Sequence, residues 1–576
     1  MTQGKVLVFG EDTRSFLATV RSLGRRGVEV HAAPARFIAP ALRSRYVRQV
    51  QRLPPWLGDG RDWLLAAEML LHRERYDLVI PCNEVPLLQL HTYRSELGGL
   101  ARLAVPDERA IGVLFDKHAV RELARSLGVP VADGGLPQPG EDAATVLARY
   151  GTPLMVKPRN SYTLTEPDHR RKVRTVRDAA MLATLLPGLA PEEYLFEAFF
   201  PGQGLGVSVL AHEGRLLQAF EHHRVREDES GSYYRVSAPL TPALLAACEA
   251  ICGALSYTGV AMFEFRRDPA NGAWILLEVN ARPWGSMPLP VGLGVDFPWC
   301  WYRLLVDGVE EPRRSYPAGI YARNLLHDLR GMTAEALRWR ARGEPWLGPW
   351  LAALAEVRRW PLGRELQDTV VADDPAPGLV ELGQEAAART RWLGRRLPGG
   401  TAVVRVAARR RAAAALRMAA GRPVLFVCQG NICRSPFAEH ALRAVWHDAP
   451  AVPPVASYGV LPRVGRTTPD FGIAAAAAQG IDLQAHRSRY LTEEAAARAA
   501  LIVVFDEKNR NSVRSLYPGL ATPLVKLGEL SDGEDIPDPD GGERDKFTEV
   551  YRKITIGLQV LAGLAATGRE TRAISA

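Results

Sequence analysis

The sequence predicts an α/β protein built on parallel sheets, and three observations carry that expectation. Short apolar runs alternate with helical stretches early in the chain, at 5–9 (Lys-Val-Leu-Val-Phe), 28–32 and 76–81. The alternation returns late, where Val424-Leu425-Phe426 runs into a turn containing Gly430 and Asn431 and then another helical stretch. Between them, residues 153–283 hold several strand-like segments, the last two forming a hairpin around Asn271-Gly272. An apolar run flanked by helices reads as a strand covered on both faces. Strand–helix alternation reads as a doubly wound sheet, with ligand contacts beyond the carboxyl ends of its strands.

Length and composition set the frame. The chain of 576 residues has room for about three or four domains. Apolar residues make up 47% and charged residues 24%, as in ordinary globular proteins. The formal charge of +8 is modest for this length and no nucleic-acid motif accompanies it, so no nucleic-acid partner is expected. The six cysteines (Cys82, Cys248, Cys252, Cys300, Cys428 and Cys433) are too scattered for a disulfide framework. Cys248 and Cys252 share a helix face without further ligands nearby, which reads as small buried side chains. The chain enters its first strand without an apolar leader, and no apolar stretch reaches membrane-spanning length. A cytoplasmic setting without a transmembrane segment is therefore expected, and a catalytic thiol needs such reducing conditions. Positive charge gathers over 390–422, where Arg409-Arg410-Arg411 precede Ala-rich sequence, and this reads as a solvated helix face.

In the first region, Gly10-Glu11-Asp12 and Cys82-Asn83-Glu84 follow strand-like runs, the positions where a doubly wound sheet meets its ligand. No Gly-x-Gly-x-x-Gly occurs there, so no dinucleotide is expected. Four features then follow in order. Asp116-Lys117 opens a helix, Lys157 lies on the strand-like run 153–158, Glu197 to Phe200 end another strand at a turn, and the paired runs 261–265 and 276–283 carry acids. Period-two alternation places Glu278, Asn280 and Arg282 on one face, and the hairpin brings Glu264 toward Glu278. Two carboxylates and an amide oxygen form a hard-oxygen set suited to Mg²⁺ bridging phosphates. The fork of Arg282 suits a transferring phosphoryl group.

This ordered set resembles the ATP-grasp superfamily, which includes biotin carboxylase and the large subunit of carbamoyl phosphate synthetase, over roughly residues 1–305. The resemblance implies that Lys117 and Lys157 contact ATP phosphates and that Glu197, Phe199 and their neighbours form the hinge facing adenine. It implies further that Glu264, Glu278 and Asn280 hold Mg²⁺, with Arg282 beside the nucleotide. The activity implied is ligation of a small-molecule carboxylate to an amine through an acyl-phosphate. One departure stands out. The Gly-rich loop usual after the second lysine is replaced by Arg159-Asn160-Ser161-Tyr162 and the basic run His169-Arg170-Arg171-Lys172.

The late region carries the most specific run of the chain, Val427-Cys428-Gln429-Gly430-Asn431-Ile432-Cys433-Arg434-Ser435-Pro436. A strand feeding a cysteine and a tight loop into a helix aims backbone N–H groups and a helix N-terminus at the sulfur, which favours a thiolate. Arg434 matches phosphoryl oxygens with its planar fork. Ser435 is placed to steady the sulfur as a leaving group, and Gly430 and Asn431 tolerate the left-handed angles such a cradle needs.

This run resembles the signature of the low-molecular-weight protein tyrosine phosphatases, and the likeness extends over roughly 421–565. It implies Cys428 as nucleophile, Arg434 as phosphate clamp, Ser435 and Asn431 as supporting residues, and no cofactor. In Ile536-Pro537-Asp538-Pro539, 110 positions after Cys428, it implies Asp538 as general acid and base. The implied substrate is a phosphoprotein, with phosphotyrosine as the expected residue. Asp540-Gly541 stands where the family carries aromatic residues that wall the aryl slot, so Tyr458 or Leu461 is the expected substitute. Cys433 reads equally as a redox partner of Cys428 or as a packing residue.

Together these readings predict an N-terminal ATP-grasp ligase fold with a preceding Rossmann-like domain, a helical connector, and a C-terminal doubly wound phosphatase domain. The expected limits are 1–115, 116–305, 306–420 and 421–570. The expected protein is a bifunctional phosphatase and ATP- and Mg²⁺-dependent ligase. The alternative is a phosphatase regulated by a non-catalytic ATP-binding module.

Overall fold

The computed structural model describes residues 4–167, 169–228, 231–343, 345, 347–397, 399–446 and 452–574. It is a mixed α/β protein of two compact units. The first comprises Met1–Pro34, Ala39–Pro54 and Leu64–Leu382, and the second Ala35–Ile38, Pro55–Trp63 and Gly383–Ala576.

The first unit begins with five parallel strands: β1 (Lys5–Phe9), β2 (Glu29–Ala33), β3 (Val47–Val50), β4 (Leu78–Pro81) and β5 (Arg102–Leu103). Their order is β3-β2-β1-β4-β5, so the chain reverses its direction of travel across the sheet between β1 and β4. Val6, Val8, Leu78 and Ile80 are fully buried, as a sheet covered on both faces requires. The crevice beyond the carboxyl ends of β1 and β4 is where such a sheet exposes a ligand site. Glu84 opens the helix Glu84–Thr92 there.

Two antiparallel sheets follow. The smaller has the order β6-β9-β7-β8, from β6 (Gly134–Gly135), β7 (Leu154–Pro158), β8 (Arg174–Val176) and β9 (Tyr194–Ala198). The larger has seven strands: β10 (Gln203–His212), β11 (Arg215–Asp228), β12 (Gly231–Ala238), β13 (Gly259–Arg267), β14 (Trp274–Asn280), β15 (Tyr321–Arg323) and β16 (Glu365–Gln367). They run β14-β13-β10-β11-β12-β15-β16, with only β15–β16 parallel. Leu205, Val207, Val209, Phe263 and Phe265 form a core that includes Leu244, Cys248, Ile251 and Cys252 of the helix Pro242–Ala254. Burial pushes the Cys248 thiol up, with Cys252 adding to it, so both cysteines serve as small core residues. Residues through Leu382 fold with this unit, tied by the fully buried Arg235–Asp368 pair at 2.7 Å.

The second unit holds β17 (Val424–Cys428), β18 (Val455–Gly459), β19 (Leu501–Val504) and β20 (Leu524–Lys526), parallel and ordered β18-β17-β19-β20. Alternate residues of β17 divide between two cores. Val424, Phe426 and Cys428 join one with Phe437, Leu442, Tyr551 and Leu558, while Leu425 and Val427 join the other with Leu491 and Val513. This is the doubly wound pattern. The long helix Arg544–Ile574 earns its place through Phe547, Val550, Tyr551, Ile554, Leu558 and Leu561, spaced at three and four residues. Tyr551 stacks on Phe437 with ring centroids 4.0 Å apart.

The basic Ala-rich stretch differs from the expected solvated face. The helix Gly400–Arg417 lays Ala408, Ala412, Ala415 and Leu416 into the first of these cores. Arg405 and Arg409 donate to the carbonyls of Ser531 and Leu530 at 3.3 and 2.9 Å. Only its other side, with Arg410 and Arg411, stays exposed. Small alanines at helical spacing make close packing possible where charge alone suggested solvent.

Candidate active sites

The thiol loop is held by backbone and by short side chains. Cys428 ends β17, and the helix Arg434–Val445 begins six residues later. The N–H of Asn431 donates to the Cys428 sulfur at 3.3 Å, and Ser435 Oγ lies 3.1 Å from it. Asn431 has φ +52°, the left-handed angle that Asn tolerates well. Its side-chain N–H groups donate to Ser435 Oγ at 2.9 Å and Ser457 Oγ at 2.8 Å. Its Oδ1 accepts from the Arg489 N–H at 2.7 Å, and its carbonyl from His486 Nε2 at 2.7 Å. Gly459, at the end of β18, passes so close that an added Cβ would come within 2.8 Å of Gln429 O and 3.0 Å of Asn431 N. The loop thus curls around the sulfur because a glycine lets the neighbouring strand approach.

Arg434 is 1% exposed. It donates to Asp538 at 2.6 Å, to Asp506 at 2.5 Å and to Ile536 O at 3.0 Å. Burial opposes its charge, but Cys428, Asp538 and Asp506 outweigh that and raise its pKa. Its Nε is buried without a hydrogen-bond partner among the described residues, a donor that a phosphoryl oxygen can use. Cys428, Asn431, Ser435, Arg434 and Asp538 are thus linked by direct contacts. Asp538 remains 44% exposed, within reach of water. Burial pushes the Cys433 thiol up, with Cys428 adding to it, which keeps that thiol protonated and supports packing.

The segment before Asp538 is pinned from behind. Ile536 N–H donates to Phe505 O at 2.9 Å. Asp535 pairs with Lys526, accepts the Glu507 N–H at 3.2 Å, and lies beside a fully buried lysine that also meets Glu507 at 3.4 Å and Glu529 at 3.7 Å. Asp506 and Lys526 escaped the sequence reading; their position at the carboxyl ends of β19 and β20 was the available signal. Asp540 and Gly541 are exposed and offer no aromatic wall. Tyr458 is half-buried beneath the Arg489 guanidinium, 4.8 Å from its ring. Val460 and Leu461 donate to Gln429 O at 3.0 Å, which sets Leu461 beside the loop.

In the first unit a cleft is lined by Glu84, Leu114, Phe115, Lys117, Ser161, Tyr162, Glu278, Asn280 and Arg282. Asp116 caps the helix Lys117–Ser126 through the His118 N–H at 2.9 Å and is clamped by Arg159. Lys117 donates to Ser161 Oγ at 2.7 Å and lies 3.7 Å from Glu278. Glu264 and Glu278 are direct partners across β13 and β14, the juxtaposition the hairpin predicted. Arg282, however, lies beyond the end of β14 at Asn280, so strand alternation does not set its direction. The chain turns back, with Arg282 N–H donating to Asn280 O at 2.9 Å. The guanidinium still reaches Asn280 Oδ1 at 3.2 Å and pairs with Glu84 at 2.5 Å. Lys157 pairs with Glu197, both nearly buried, while Phe199 is 42% exposed. Neither Lys157, Glu197 nor Phe199 lines the cleft described above.

The acids fit a divalent cation. Burial and the neighbouring Glu278 hold Glu264 above the ordinary carboxylate range, against the pull of Arg224. Burial opposes ionisation of Glu278, but Lys117, Lys157 and Arg170 outweigh it and hold it low. Two adjacent carboxylates, one short of positive charge, together with Asn280, form an oxygen set that such an ion would neutralise. Arg224 now supplies part of that charge by pairing with Glu264, whose other oxygen accepts from Asn280 at 3.0 Å. Arg224 was absent from the sequence reading, and Glu84 was placed there only at the end of a strand-like run, with no role of its own. Arg224 reaches Glu264 over β10, where Gly206 is the partner of both Glu264 and His222.

Comparison with known proteins follows this division. Residues 190–325 match the family described as ATP-grasp in the biosynthetic pathway with Ter operon. Residues 423–572 match the low molecular weight phosphotyrosine protein phosphatase family. The relative from Ralstonia nicotianae named "Probable low molecular weight protein-tyrosine-phosphatase EpsP" is 34% identical over 137 residues, 24% of this chain and 91% of its own. The Escherichia coli low molecular weight protein-tyrosine-phosphatase Etp is 34% identical over 128 residues, 22% of this chain and 84% of its own. Among solved structures, the biotin carboxylase domain of the Hydrogenobacter thermophilus 2-oxoglutarate carboxylase is 18% identical with a TM-score of 0.43, covering 55% of this chain and 73% of that one. Through its C-terminal segment, the chain belongs to the low molecular weight phosphotyrosine protein phosphatase family.

Proposed function

We propose that the second unit hydrolyses phosphomonoesters, with protein phosphotyrosine as the substrate class, through a phosphocysteine at Cys428. The contact set at the sulfur carries this reading: Asn431 N–H at 3.3 Å, Ser435 Oγ at 3.1 Å, and Arg434 running on to Asp538. The sulfur attacks phosphorus while Arg434 holds two equatorial oxygens. Asp538 gives its proton to the departing oxygen, then takes one from the water that attacks the phosphocysteine. Ser435 and the Asn431 N–H receive the sulfur as its negative charge returns. Rapid mixing with p-nitrophenyl phosphate tests the scheme. A burst equal to the enzyme concentration is expected, and it vanishes in Cys428→Ser; steady hydrolysis surviving that substitution defeats the scheme.

In the first unit the reading is ATP- and Mg²⁺-dependent activation of a carboxylate, followed by attack of an amine. Glu264 facing Glu278 beside Lys117 is the observation that supports it. Mg²⁺, when bound, would screen the phosphate charge; Glu264, Glu278 and Asn280 are the residues that would hold it. Lys117 neutralises phosphate oxygens, and Arg282 orients the carboxylate. Carboxylate-stimulated ADP release, lost in Glu278→Gln, is expected. One observation favours a second reading, a nucleotide sensor without turnover: Arg224 already sits on Glu264. Nucleotide binding without ADP release for any carboxylate, coupled to altered phosphatase rates, selects the sensor.

A further inference from the structure

We propose that the cleft of the first unit takes a free amino acid as the carboxylate to be activated, with its carboxylate on Arg282 and its ammonium on Glu84. This rests on carboxylate activation in the same cleft and adds the substrate class. Two independent features meet at Glu84. The first is topological: Glu84 opens its helix just past β4, beside the β1–β4 reversal where this kind of sheet exposes its ligand site. The second is electrostatic: its carboxylate pairs at 2.5 Å with Arg282, on a segment 198 positions away, and the two side chains are only 16% and 17% exposed. Burial opposes ionisation of Glu84, but Arg282 outweighs it and holds the carboxylate below its usual range.

An anionic ligand drawn to Arg282 must share or displace Glu84. A simple carboxylate that took Arg282 would leave the nearly buried Glu84 charge with only the weaker pull of Arg170, which is unfavourable. A zwitterion removes that penalty because it brings one charge for each partner. Arg282 also reaches Asn280 Oδ1 at 3.2 Å, so a carboxylate on its fork lies next to Glu278 and Lys117, where the phosphoryl group is expected. Leu88, Leu114 and Phe115 line the same cleft and suit an apolar side chain. In the activation step a carboxylate oxygen forms a bond to the γ-phosphorus, the bond from that phosphorus to its bridging oxygen breaks, and ADP leaves. The ammonium keeps its proton on Glu84 throughout, which prevents the activated amino acid from attacking a second copy of itself at this site.

The test pairs each of the twenty amino acids with its des-amino acid, for example L-phenylalanine with 3-phenylpropionate, on the full chain. ADP release with ATP and Mg²⁺ is measured, alongside calorimetric binding of the same compounds. Amino acids are expected to exceed their des-amino partners by about 100-fold or more in kcat/KM, as for sites built to pair a polar group. Glu84→Gln leaves the nearly buried Arg282 without its anion and should lower the melting temperature; in the folded variant it should erase most of that preference, and Glu84→Asp should restore part of both. Equal response to des-amino acids, or unchanged preference in Glu84→Gln, overturns the inference and leaves carboxylate activation standing. Absence of both binding and stimulation by every amino acid also overturns it. Glu84-dependent amino acid binding without ADP release supports this inference and rejects the activation reading instead.

Discussion

The thiol loop and the acid-lined cleft solve one problem, holding phosphate, by opposite means. Around Cys428 most of the work is done by backbone and by groups within eight residues of sequence, from the sulfur to Ser435. In and beside the cleft the polar groups come from residues 84, 117, 161, 224, 264 and 278–282 and are tied to one another by ion pairs and hydrogen bonds. The backbone N–H groups of the loop are in place before a ligand arrives, and of the loop's described residues only Arg434 has ion pairs, to Asp506 and Asp538, to loosen on binding. A cradle of paired side chains must exchange partners on binding. The first favours fast chemistry on one phosphoryl group, and the second favours discrimination among ligands.

Removing a reacting group tests the first half of this contrast most severely. Asp538→Asn is expected to lower kcat by about 10²–10³-fold, the usual span for a general acid. The loss should be greater for phenyl phosphate than for p-nitrophenyl phosphate, whose leaving oxygen needs no proton. Equal losses on both substrates would assign the proton to another group. The fold should be untouched, because Asp538 is 44% exposed.

Lys526, like Arg434, is a place where the second unit relies on buried charge as the first unit does. Its ammonium is fully buried and meets Asp535, Glu507 and Glu529, and Asp535 leads directly into the segment bearing Asp538. Lys526→Met should cost about 1–3 kcal/mol of stability, since it takes a cation from the buried Glu529, which keeps only Arg510, and from the more exposed Asp535 and Glu507. In the surviving folded fraction kcat should fall about tenfold, again more for phenyl phosphate, as expected when an acid is misplaced. Lys526→Arg should recover part of both. A stability loss with an unchanged leaving-group profile would separate Lys526 from the placement of Asp538.

How much was legible follows the same contrast. Cys428, Asn431, Arg434 and Ser435 could be named from the sequence because a backbone cradle is written in consecutive residues. Asp538 needed family resemblance, since an isolated Asp-Pro most often marks a turn. The pairing of Glu264 with Glu278 was readable from the hairpin and its Asn271-Gly272 turn. The direction of Arg282 was not, because β14 ends at Asn280 and the next residues turn back. Arg224 was invisible for a physical reason: its partner Glu264 lies two strands away across the sheet, a pairing that no sequence spacing announces. The helix Gly400–Arg417 was misread because its clustered arginines drew attention to charge, while its alanines set the packing.

Backbone closeness gives a sharper test at Gly459. A Cβ there meets backbone atoms of Gln429, Gly430 and Asn431 at 2.8–3.0 Å, and backbone cannot swing aside as a side chain can. Gly459→Ala should cost about 1–3 kcal/mol, the usual cost of overpacking, and should weaken binding of inorganic phosphate or vanadate in parallel. Unchanged oxyanion affinity would mean that the loop tolerates displacement and that its grip is less dependent on backbone shape than the contrast supposes.

The smallest expected effect concerns the ion pairs of the first unit away from its cleft. Glu74 is lowered to about 2, first by its hydrogen bonds from Lys5 and Arg73, with burial opposing. A carboxyl whose folded pKa lies below its unfolded value binds fewer protons when folded. Its contribution is therefore complete above about pH 4.5 and fades as pH falls toward 2. Because the group is close to solvent, about 1 kcal/mol is the expected size after screening. Glu74→Gln should lower the melting temperature of the first unit at pH 7 and high salt should shrink the gap. Near pH 2 the variant and the parent should converge. A gap that persists in acid would trace the loss to shape rather than charge, and would weaken the view that ion pairs hold this unit where backbone holds the other.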